Sequence, residues 1–241
     1  MPALDAPVRS GRLSETIRDD LFAPMAGRNA REYTVPTEIA DVATSHDLHG
    51  RRWYSYHTKN TFRTHPVVFL FHGSGRNGLS MIDMWRRVAD REGLFLIALD
   101  GDQLRWPMQD VAPTILHDIL SEAETITRLD LDQVYLFGHS NGARYAQILN
   151  NLTEGPWRAT AVHAGFNGLA AAIIPENPKP IRFYLGNRDH IFSLDTLRDI
   201  ANGLAERGHQ VDIQIIPDHN HWFYVAGPAI AADAWAWLKR Q

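Results

Sequence analysis

Six short apolar runs recur along the chain, and most are followed by a loop and a segment with helical periodicity. They span residues 67–71 (VVFLF), 94–99 (LFLIAL), 133–138 (QVYLFG), 159–164 (ATAVHA), 181–186 (IRFYLG) and 211–216 (VDIQII). Continuous apolar runs of this length are typical of strands that are covered on both faces. We therefore predict an α/β fold in which a mostly parallel central sheet is flanked by helices on both faces.

The segments around these runs complete the predicted architecture. Residues 51–57 (RRWYSYH) alternate large and polar side chains, which is typical of a strand near a sheet edge. The helices that cover the sheet are predicted over residues 114–128, 143–152, 194–207 and 228–239. Because no linker, internal repeat or low-complexity tract interrupts these patterns, residues 31–241 are predicted to form a single domain.

Residues 1–30 are mostly polar and are broken by prolines and glycines. They are predicted to form an N-terminal arm, with one short helix over residues 14–22 for which Ser14 is the candidate N-cap. The start of the chain has no apolar h-region, and no apolar run approaches the roughly 20 residues that cross a bilayer. We therefore expect no signal peptide in this chain, no membrane partner and a cytoplasmic protein, and secretion stays open as the alternative.

The composition narrows the classes of partner and of chemistry. Hydrophobic residues make up 44% of the chain and charged residues 22%, which allows a large buried core. The net charge is −4 and no long basic run occurs, so no nucleic-acid partner is expected. The absence of cysteine excludes disulfides and thiolate catalysis. Nothing in the composition selects an oligomeric state, and a homo-oligomer stays open.

The segment Gly138-His139-Ser140-Asn141-Gly142 lies between a predicted strand and a predicted helix. A Gly-x-Ser-x-Gly sequence at such a joint is typical of an elbow, in which the serine is strained and its hydroxyl stands above the sheet edge. Ser140 is therefore the candidate nucleophile. The N-terminus of the following helix favours developing negative charge, and the backbone N–H of Asn141 is predicted to donate to an oxyanion.

A glycine-rich loop, His72-Gly73-Ser74-Gly75, follows the run at 67–71. Loops after an early strand supply the second oxyanion donor in this type of site, and we predict the backbone N–H of Ser74 for that role. His72 is expected to be structural. A phosphate cradle is disfavoured because no Gly-Lys-Ser/Thr follows the glycines.

The candidate acid and base lie in two later loops, after the runs at 181–186 and 211–216. We favour Asp189 as the acid over Asp195, because Asp195 falls within the next predicted helix. Two histidines compete for the base, and we favour His221 over His219 because it lies further from the strand end and can fold back over the serine. The resulting chain order of serine, acid and histidine is that of α/β-hydrolase triads.

These motifs resemble those of a known group. HGSGRNG, GHSNGA, GNRD and HW are similar to the esterase branch of the α/β-hydrolases that includes poly(3-hydroxybutyrate)-depolymerase-like enzymes and the feruloyl and acetylxylan esterases. The resemblance covers about residues 50–240. It implies an α/β-hydrolase fold with Ser140, Asp189 and His221 as the triad and with Ser74 and Asn141 at the oxyanion hole.

The sequence also bears on the substrate. No insertion between the predicted strands is long enough for a large lid domain, so we expect an open pocket and a small, soluble ester with a short-chain or aromatic acyl group. We expect no metal, because the 12 histidines include no His-Glu-x-x-His, and no organic cofactor. The candidate substrate-binding residues are Trp106, His139, Phe166, His219 and Trp222, with Phe223 as a further candidate for the pocket wall.

Three other classes of protein stay open on the same residues. A serine peptidase or thioesterase would share the triad, and a lyase or acyltransferase could use it without net hydrolysis. A non-catalytic ligand-binding protein would keep the pocket without turnover. A panel of substrates separates a peptidase or thioesterase from an esterase, and an active-site serine probe separates an enzyme from a ligand-binding protein.

Overall fold

The computed structural model describes residues 9–12, 33–58, 63–102, 106, 108, 113–168 and 175–241. These residues form nine strands: β1 (Arg9–Arg12), β2 (Thr44–Leu48), β3 (Arg51–His57), β4 (His65–Phe71), β5 (Phe95–Leu99), β6 (Leu129–His139), β7 (Trp157–His163), β8 (Ile181–Gly186) and β9 (Val211–Ile216). They also form six helices: α1 (Thr37–Val42), α2 (Gly78–Glu92), α3 (Pro113–Ala123), α4 (Asn141–Leu152), α5 (Leu194–Glu206) and α6 (Phe223–Leu238).

All nine strands join one sheet in the order β1-β9-β8-β7-β6-β4-β5-β3-β2. Only the pairings of β3 with β2 and with β5 are antiparallel, so the predicted mostly parallel sheet is confirmed. The carboxyl ends of β4, β6, β8 and β9 lie at the same edge because these strands are parallel. The loops that carry the candidate site residues therefore meet at that edge.

Helices cover both faces of the sheet, as predicted. Side chains alternate along each strand, so Val67, Phe69 and Phe71 of β4 face one layer and Val68 and Leu70 face the other. The first layer contains α3, α4 and α5, and the second contains α1, α2 and α6. The continuous apolar runs follow from this double coverage, since both faces of each central strand are buried.

The helix α2 was missing from the elements expected from the sequence. Its N-cap is Asn77, whose side chain accepts a hydrogen bond from the N–H of Ser80 at 3.1 Å. It ends at Gly93, which adopts the left-handed conformation at φ 77°. Both end signals are present in the sequence, and the helix packs Met81 and Trp85 into the core.

The start of the last helix was predicted five residues too late. The sequence prediction begins this helix at Pro228. The structure begins α6 at Phe223 and holds Pro228 inside it. Phe223 and Tyr224 are buried, against Phe137 and Tyr33 respectively, and this packing extends the helix towards the histidine loop.

Two further differences concern the edges of the predicted elements. The predicted helix at 114–128 ends at Ala123, because residues 124–126 form turns. Part of the predicted arm forms β1, which pairs in parallel with β9 at one edge of the sheet. The helix predicted at 14–22 lies outside the described residues.

Candidate active site

The turn between β6 and α4 holds Ser140 in a strained conformation. Ser140 precedes the first residue of α4 and has φ 53° and ψ −114°, a region that residues other than glycine seldom occupy. Its backbone N–H donates to the carbonyl of His163 at 2.9 Å, and its own carbonyl accepts the N–H of Arg144 at 3.2 Å. These two hydrogen bonds fix the backbone from which the hydroxyl projects.

Two glycines make this turn possible. A Cβ on Gly138 would overlap the carbonyl oxygen of Gly142, and a Cβ on Gly142 would overlap the carbonyl oxygen of Phe71. The obstructing atoms belong to the backbone, so rotation of a side chain cannot relieve either overlap. Small residues are therefore required here by the close approach of α4 to the ends of β6 and β4.

The structure brings Ser140, Asp189 and His221 together in hydrogen-bond contact. The Nε2 atom of His221 lies 2.9 Å from Ser140 Oγ, and its Nδ1 atom lies 3.0 Å from Asp189 Oδ2. The Asp189 side chain has no solvent exposure, and that of His221 is 4% exposed. A proton on Nδ1 donates to the carboxylate, which leaves the lone pair of Nε2 free to accept the serine proton.

Hydrogen bonds from the His221 side chain and from two backbone groups keep Asp189 ionised. Burial alone would raise the pKa of its carboxyl group, but the hydrogen bonds from His221 and from the N–H groups of Phe192 and Ile191 lower the pKa below the usual value. The two backbone N–H groups donate to Oδ1 at 2.9 Å and 2.8 Å. The other oxygen, Oδ2, is left for the histidine.

The two competing residues lie elsewhere. Asp195 is in the first turn of α5, where its side chain is 92% exposed and pairs with Arg198 at 2.9 Å. His219 is buried, and its Nε2 atom lies 3.0 Å from Nε2 of His163. Of the residues that the sequence left in competition, Asp189 and His221 are thus the ones whose contacts lead to Ser140.

The loop after β4 lies against the elbow. A Cβ on Gly73 would come 2.8 Å from Cδ2 of His139 and 3.4 Å from Cβ of Ser140, and Ser74 follows in an exposed turn. His72 is buried and its ring nitrogens meet backbone groups: Nδ1 lies 2.8 Å from the carbonyl of Gly73, and Nε2 accepts the N–H of Gly101 at 2.9 Å. Its ring therefore supports the loop that carries Ser74.

Trp106 connects the loop and the helix that carry the predicted oxyanion donors. Its indole N–H donates to the carbonyl of His72 at 2.8 Å, and its backbone N–H donates to the side-chain oxygen of Asn141 at 2.8 Å. The ring is 4% exposed and packs against Phe71 and Tyr145. The sequence predicts Trp106 as a wall of the substrate pocket. The structure shows in addition that Trp106 links the end of β4 to the start of α4.

Aromatic rings surround His221. Phe192 stacks on its imidazole with ring centroids 5.8 Å apart, and Phe166 packs edge-on against Phe192 at 4.8 Å. Trp222 meets His221 edge-on at 6.0 Å, whereas Phe223 is fully buried. The sequence reasoning missed Phe192, although it lies only three residues after Asp189. The loop at 165–180 falls in part, at 169–174, outside the described residues.

His139 and His219 lie beneath the triad. Both are 3% exposed, and each is within 3.0 Å of a ring nitrogen of His163. In the described part of the chain, no three histidine, aspartate or glutamate side chains form a group that could hold a metal ion. No helix in that part is long and apolar enough to span a bilayer.

The chain resembles known proteins both in sequence and in structure. A sequence model of the dienelactone hydrolase family matches residues 96–240. No curated protein sequence matches the chain. A carboxylesterase from Mesorhizobium loti superposes with a TM-score of 0.63 at 20% identity, over 83% of this chain and 100% of that one.

Two further solved structures share the fold. A propionate-bound esterase, Est2 of Thermogutta terrifontis, superposes with a TM-score of 0.69 at 14% identity, over 86% of this chain and 97% of that one. An S-formylglutathione hydrolase from Agrobacterium tumefaciens gives 0.65 at 13% identity, over 82% and 94%. At these identities the structural likeness establishes the fold.

Proposed function

Because the chain belongs to the dienelactone hydrolase family, we propose that it cleaves small carboxylic esters through an acyl-enzyme formed on Ser140. Membership of this family confirms the predicted α/β-hydrolase fold and the predicted class, a carboxylic ester hydrolase. The observation that carries the proposed residue roles is the contact of His221 with Ser140 at 2.9 Å and with Asp189 at 3.0 Å.

The proposed reaction starts with proton transfer at these contacts. Nε2 of His221 accepts the proton of Ser140 as the serine oxygen attacks the ester carbonyl carbon. Asp189 keeps the histidine in the right tautomer and stabilises the imidazolium that forms. The backbone N–H groups of Ser74 and Asn141 hold the oxyanion, and the loss of one such donor typically costs roughly 2.7–4 kcal/mol.

The second half of the reaction repeats the first with water. The imidazolium of His221 gives its proton to the leaving alcohol, and the acyl group stays on Ser140. The histidine then accepts a proton from the attacking water. When the histidine gives this proton to the serine oxygen, the carboxylic acid is released. None of these steps requires a metal or an organic cofactor.

Short-chain and aromatic acyl groups are the proposed substrates. Phe192 and Trp222 lie next to His221, and Phe166 extends the same group of rings, so flat apolar surfaces adjoin the histidine that contacts the serine. The described residues include no large lid domain that would enclose a long chain. The resemblance to the poly(3-hydroxybutyrate)-depolymerase-like and feruloyl esterase branch favours the same ester class.

Labelling with a fluorophosphonate probe tests the nucleophile. The wild-type protein is expected to form one adduct on Ser140, and Ser140→Ala to lose both the adduct and ester hydrolysis. Ser121→Ala is the matched control, because Ser121 is an exposed serine of α3 and its loss leaves the site intact. Equal labelling of Ser140→Ala and wild type would exclude Ser140, and an unlabelled wild type would favour a ligand-binding protein.

A substrate panel tests the ester class. It compares p-nitrophenyl esters from acetate to dodecanoate with methyl ferulate, an unsaturated lactone, an acyl thioester and a peptide amide. We expect the highest kcat/KM for a short-chain or aromatic ester. A preference for dodecanoate contradicts the open pocket, and a preference for the thioester or for a peptide would favour the thioesterase or peptidase alternative.

A further inference from the structure

Three buried imidazoles form a continuous chain of hydrogen bonds beneath the triad. Nδ1 of His139 lies 3.0 Å from Nδ1 of His163, and Nε2 of His163 lies 3.0 Å from Nε2 of His219. The three residues are 3%, 0% and 3% exposed. None of them contacts Ser140 Oγ in the manner of His221, so the proposed reaction leaves this chain without a role.

Each member of the chain comes from a different element of the site. His139 ends β6 and directly precedes Ser140, and His163 ends β7. The two are paired in the parallel register of β6 and β7, which places their side chains side by side. His219 lies in the loop after β9, two residues before His221. The chain therefore connects the strand that presents the nucleophile to the loop that presents the base.

The three imidazoles that form this chain of hydrogen bonds are neutral. Burial lowers the pKa of His219 to about 4 and the pKa values of His139 and His163 well below their usual value. A neutral imidazole offers one N–H and one lone pair, and each bond in the chain needs one of each. His163 must donate through one nitrogen and accept through the other. The donor-to-acceptor direction is consequently the same in both hydrogen bonds. Because His163 takes part in both, removing its ring nitrogens removes both.

His163 also supports the elbow through its backbone, because its carbonyl accepts the N–H of Ser140 at 2.9 Å. Other polar contacts of the loop that carries His221 are with the loop that carries Asp189. The carbonyl of His219 accepts the N–H of Arg188 at 2.9 Å, and the N–H of Asp218 donates to the side-chain oxygen of Asn187 at 2.8 Å. These contacts join the base loop to the acid loop. Besides the direct contact of His221 with Ser140, hydrogen bonds through the ring of His163 link the loop of His221 to the strand that ends before the nucleophile.

We propose that His139, His163 and His219 are positioning residues, whose hydrogen bonds hold the loop of His221 at the distance from Ser140 that proton transfer requires. This inference rests on the proposed esterase function. Its physical basis is that proton transfer depends steeply on geometry, so that a displacement of about 1 Å can cost roughly 100-fold in rate. The three rings touch neither the ester nor its leaving group in the proposed reaction.

The substitution His163→Phe separates hydrogen bonding from packing. Phenylalanine keeps an aromatic ring against Phe223, whose centroid lies 5.4 Å from that of His163, but it removes both nitrogens. We expect kcat to fall between about 10- and 100-fold with KM unchanged, and the second-order rate of fluorophosphonate labelling to fall by the same factor. His163→Gln, which keeps one donor and one acceptor, is expected to recover part of the loss.

His209→Phe is the matched control. His209 is also fully buried, and its Nδ1 lies 2.8 Å from the carbonyl of Lys179, but it precedes β9 and so lies at the opposite edge of the sheet from the site. This variant is expected to lose thermal stability while it keeps the kcat and labelling rate of the wild type. All rates are measured well below the Tm of each variant and are referred to the folded fraction.

The outcomes distinguish this inference from the function on which it rests. A folded His163→Phe with kcat and labelling within twofold of wild type would overturn the positioning role, and so would an equal loss in His209→Phe. If His163→Phe does not fold, His219→Leu is measured in its place, because it removes the hydrogen bond between the His219 and His163 rings. The same limits on kcat and on the labelling rate then decide the positioning role. A wild-type protein that neither labels nor hydrolyses esters overturns the proposed function itself.

Discussion

The backbone of Ser140 adopts φ 53°, a conformation that costs a serine roughly 1–3 kcal/mol and that its surroundings must offset. The hydrogen bond from its N–H to the carbonyl of His163 contributes to this, and Gly138 and Gly142 permit the close approach of backbone that the turn requires. The sequence pattern identifies this serine because the strain restricts which residues can flank it. It does not identify the base, because His219 and His221 are two residues apart and differ only in where the loop turns.

At the residue scale, the two histidines of the last loop are expected to respond differently to truncation. His221→Ala should lower kcat by roughly 1,000-fold or more, because His221 contacts both Ser140 and Asp189 and belongs to a unit that acts together. His219→Ala removes a supporting hydrogen bond and should cost far less. Steady-state hydrolysis of p-nitrophenyl butyrate by both variants measures the ranking, and the reverse order would assign the base to His219.

At the scale of elements, the site depends on how closely α4 approaches the sheet. The helix begins one residue after the nucleophile, and its second residue, Gly142, faces the carbonyl of Phe71 at the end of β4. Trp106 ties the same two elements together through His72 and Asn141. The predicted oxyanion donors are borne by the loop and the helix that this contact joins.

Gly142→Ala is expected to reduce the free energy of unfolding by about 3 kcal/mol or more. Its methyl group would overlap a backbone carbonyl, so β4 and α4 must move apart, and overpacking of this kind typically costs 1–3 kcal/mol before backbone shifts are added. Urea unfolding measures the change. Gly168→Ala is the control, since no atom of the described residues lies within 4 Å of a Cβ at that exposed position, and an equal loss there would show that the overlap is not the cause.

At the scale of the whole molecule, the interior holds several histidines in their neutral form. The main cause is burial, which lowers the pKa of His219 to about 4, with Asp189 acting in the opposite direction and His221 in the same direction. His139 and His163 are shifted in the same direction and by the same main cause. In acid the unfolded chain binds protons at these rings more readily than the folded protein does.

This difference in proton binding between the two states predicts that the folded protein is less stable in acid. Above pH 6.5 His219 is neutral in both states, whereas between pH 6.5 and pH 4 the unfolded chain binds a proton that the folded protein does not. Stability therefore falls as the pH falls through this window, by on the order of 3 kcal/mol for His219 alone. Below pH 4 this group contributes no further loss.

Urea unfolding at pH 7.5 and pH 4.5 measures the effect on the wild-type protein and on His219→Phe. The variant is expected to lose less stability between the two pH values, because its side chain cannot bind a proton in the unfolded state. An equal pH dependence of both proteins would show that His219 does not contribute.

Much of the central sheet could be predicted from local pattern. The runs at 67–71, 181–186 and 211–216 each fall within a strand, because burial on both faces requires continuous apolar residues. The elements that the sequence reasoning missed are α1, α2, β1 and β2. The short edge strands β1 and β2 depend on pairing with distant strands rather than on a strong pattern of their own, and α2 carried end signals that were overlooked.

The sequence by itself determined the class of the fold, the strained serine and the loops from which an acid and a base must come, because each depends on residue types within a few positions of one another. Only the tertiary structure decided that His221 contacts both Ser140 and Asp189, that Phe192 stacks on the base and that the rings of His139, His163 and His219 are joined by hydrogen bonds. These contacts link residues from separate strands and from the loops that follow them. They depend on the register and spacing of the whole sheet, which no local pattern encodes.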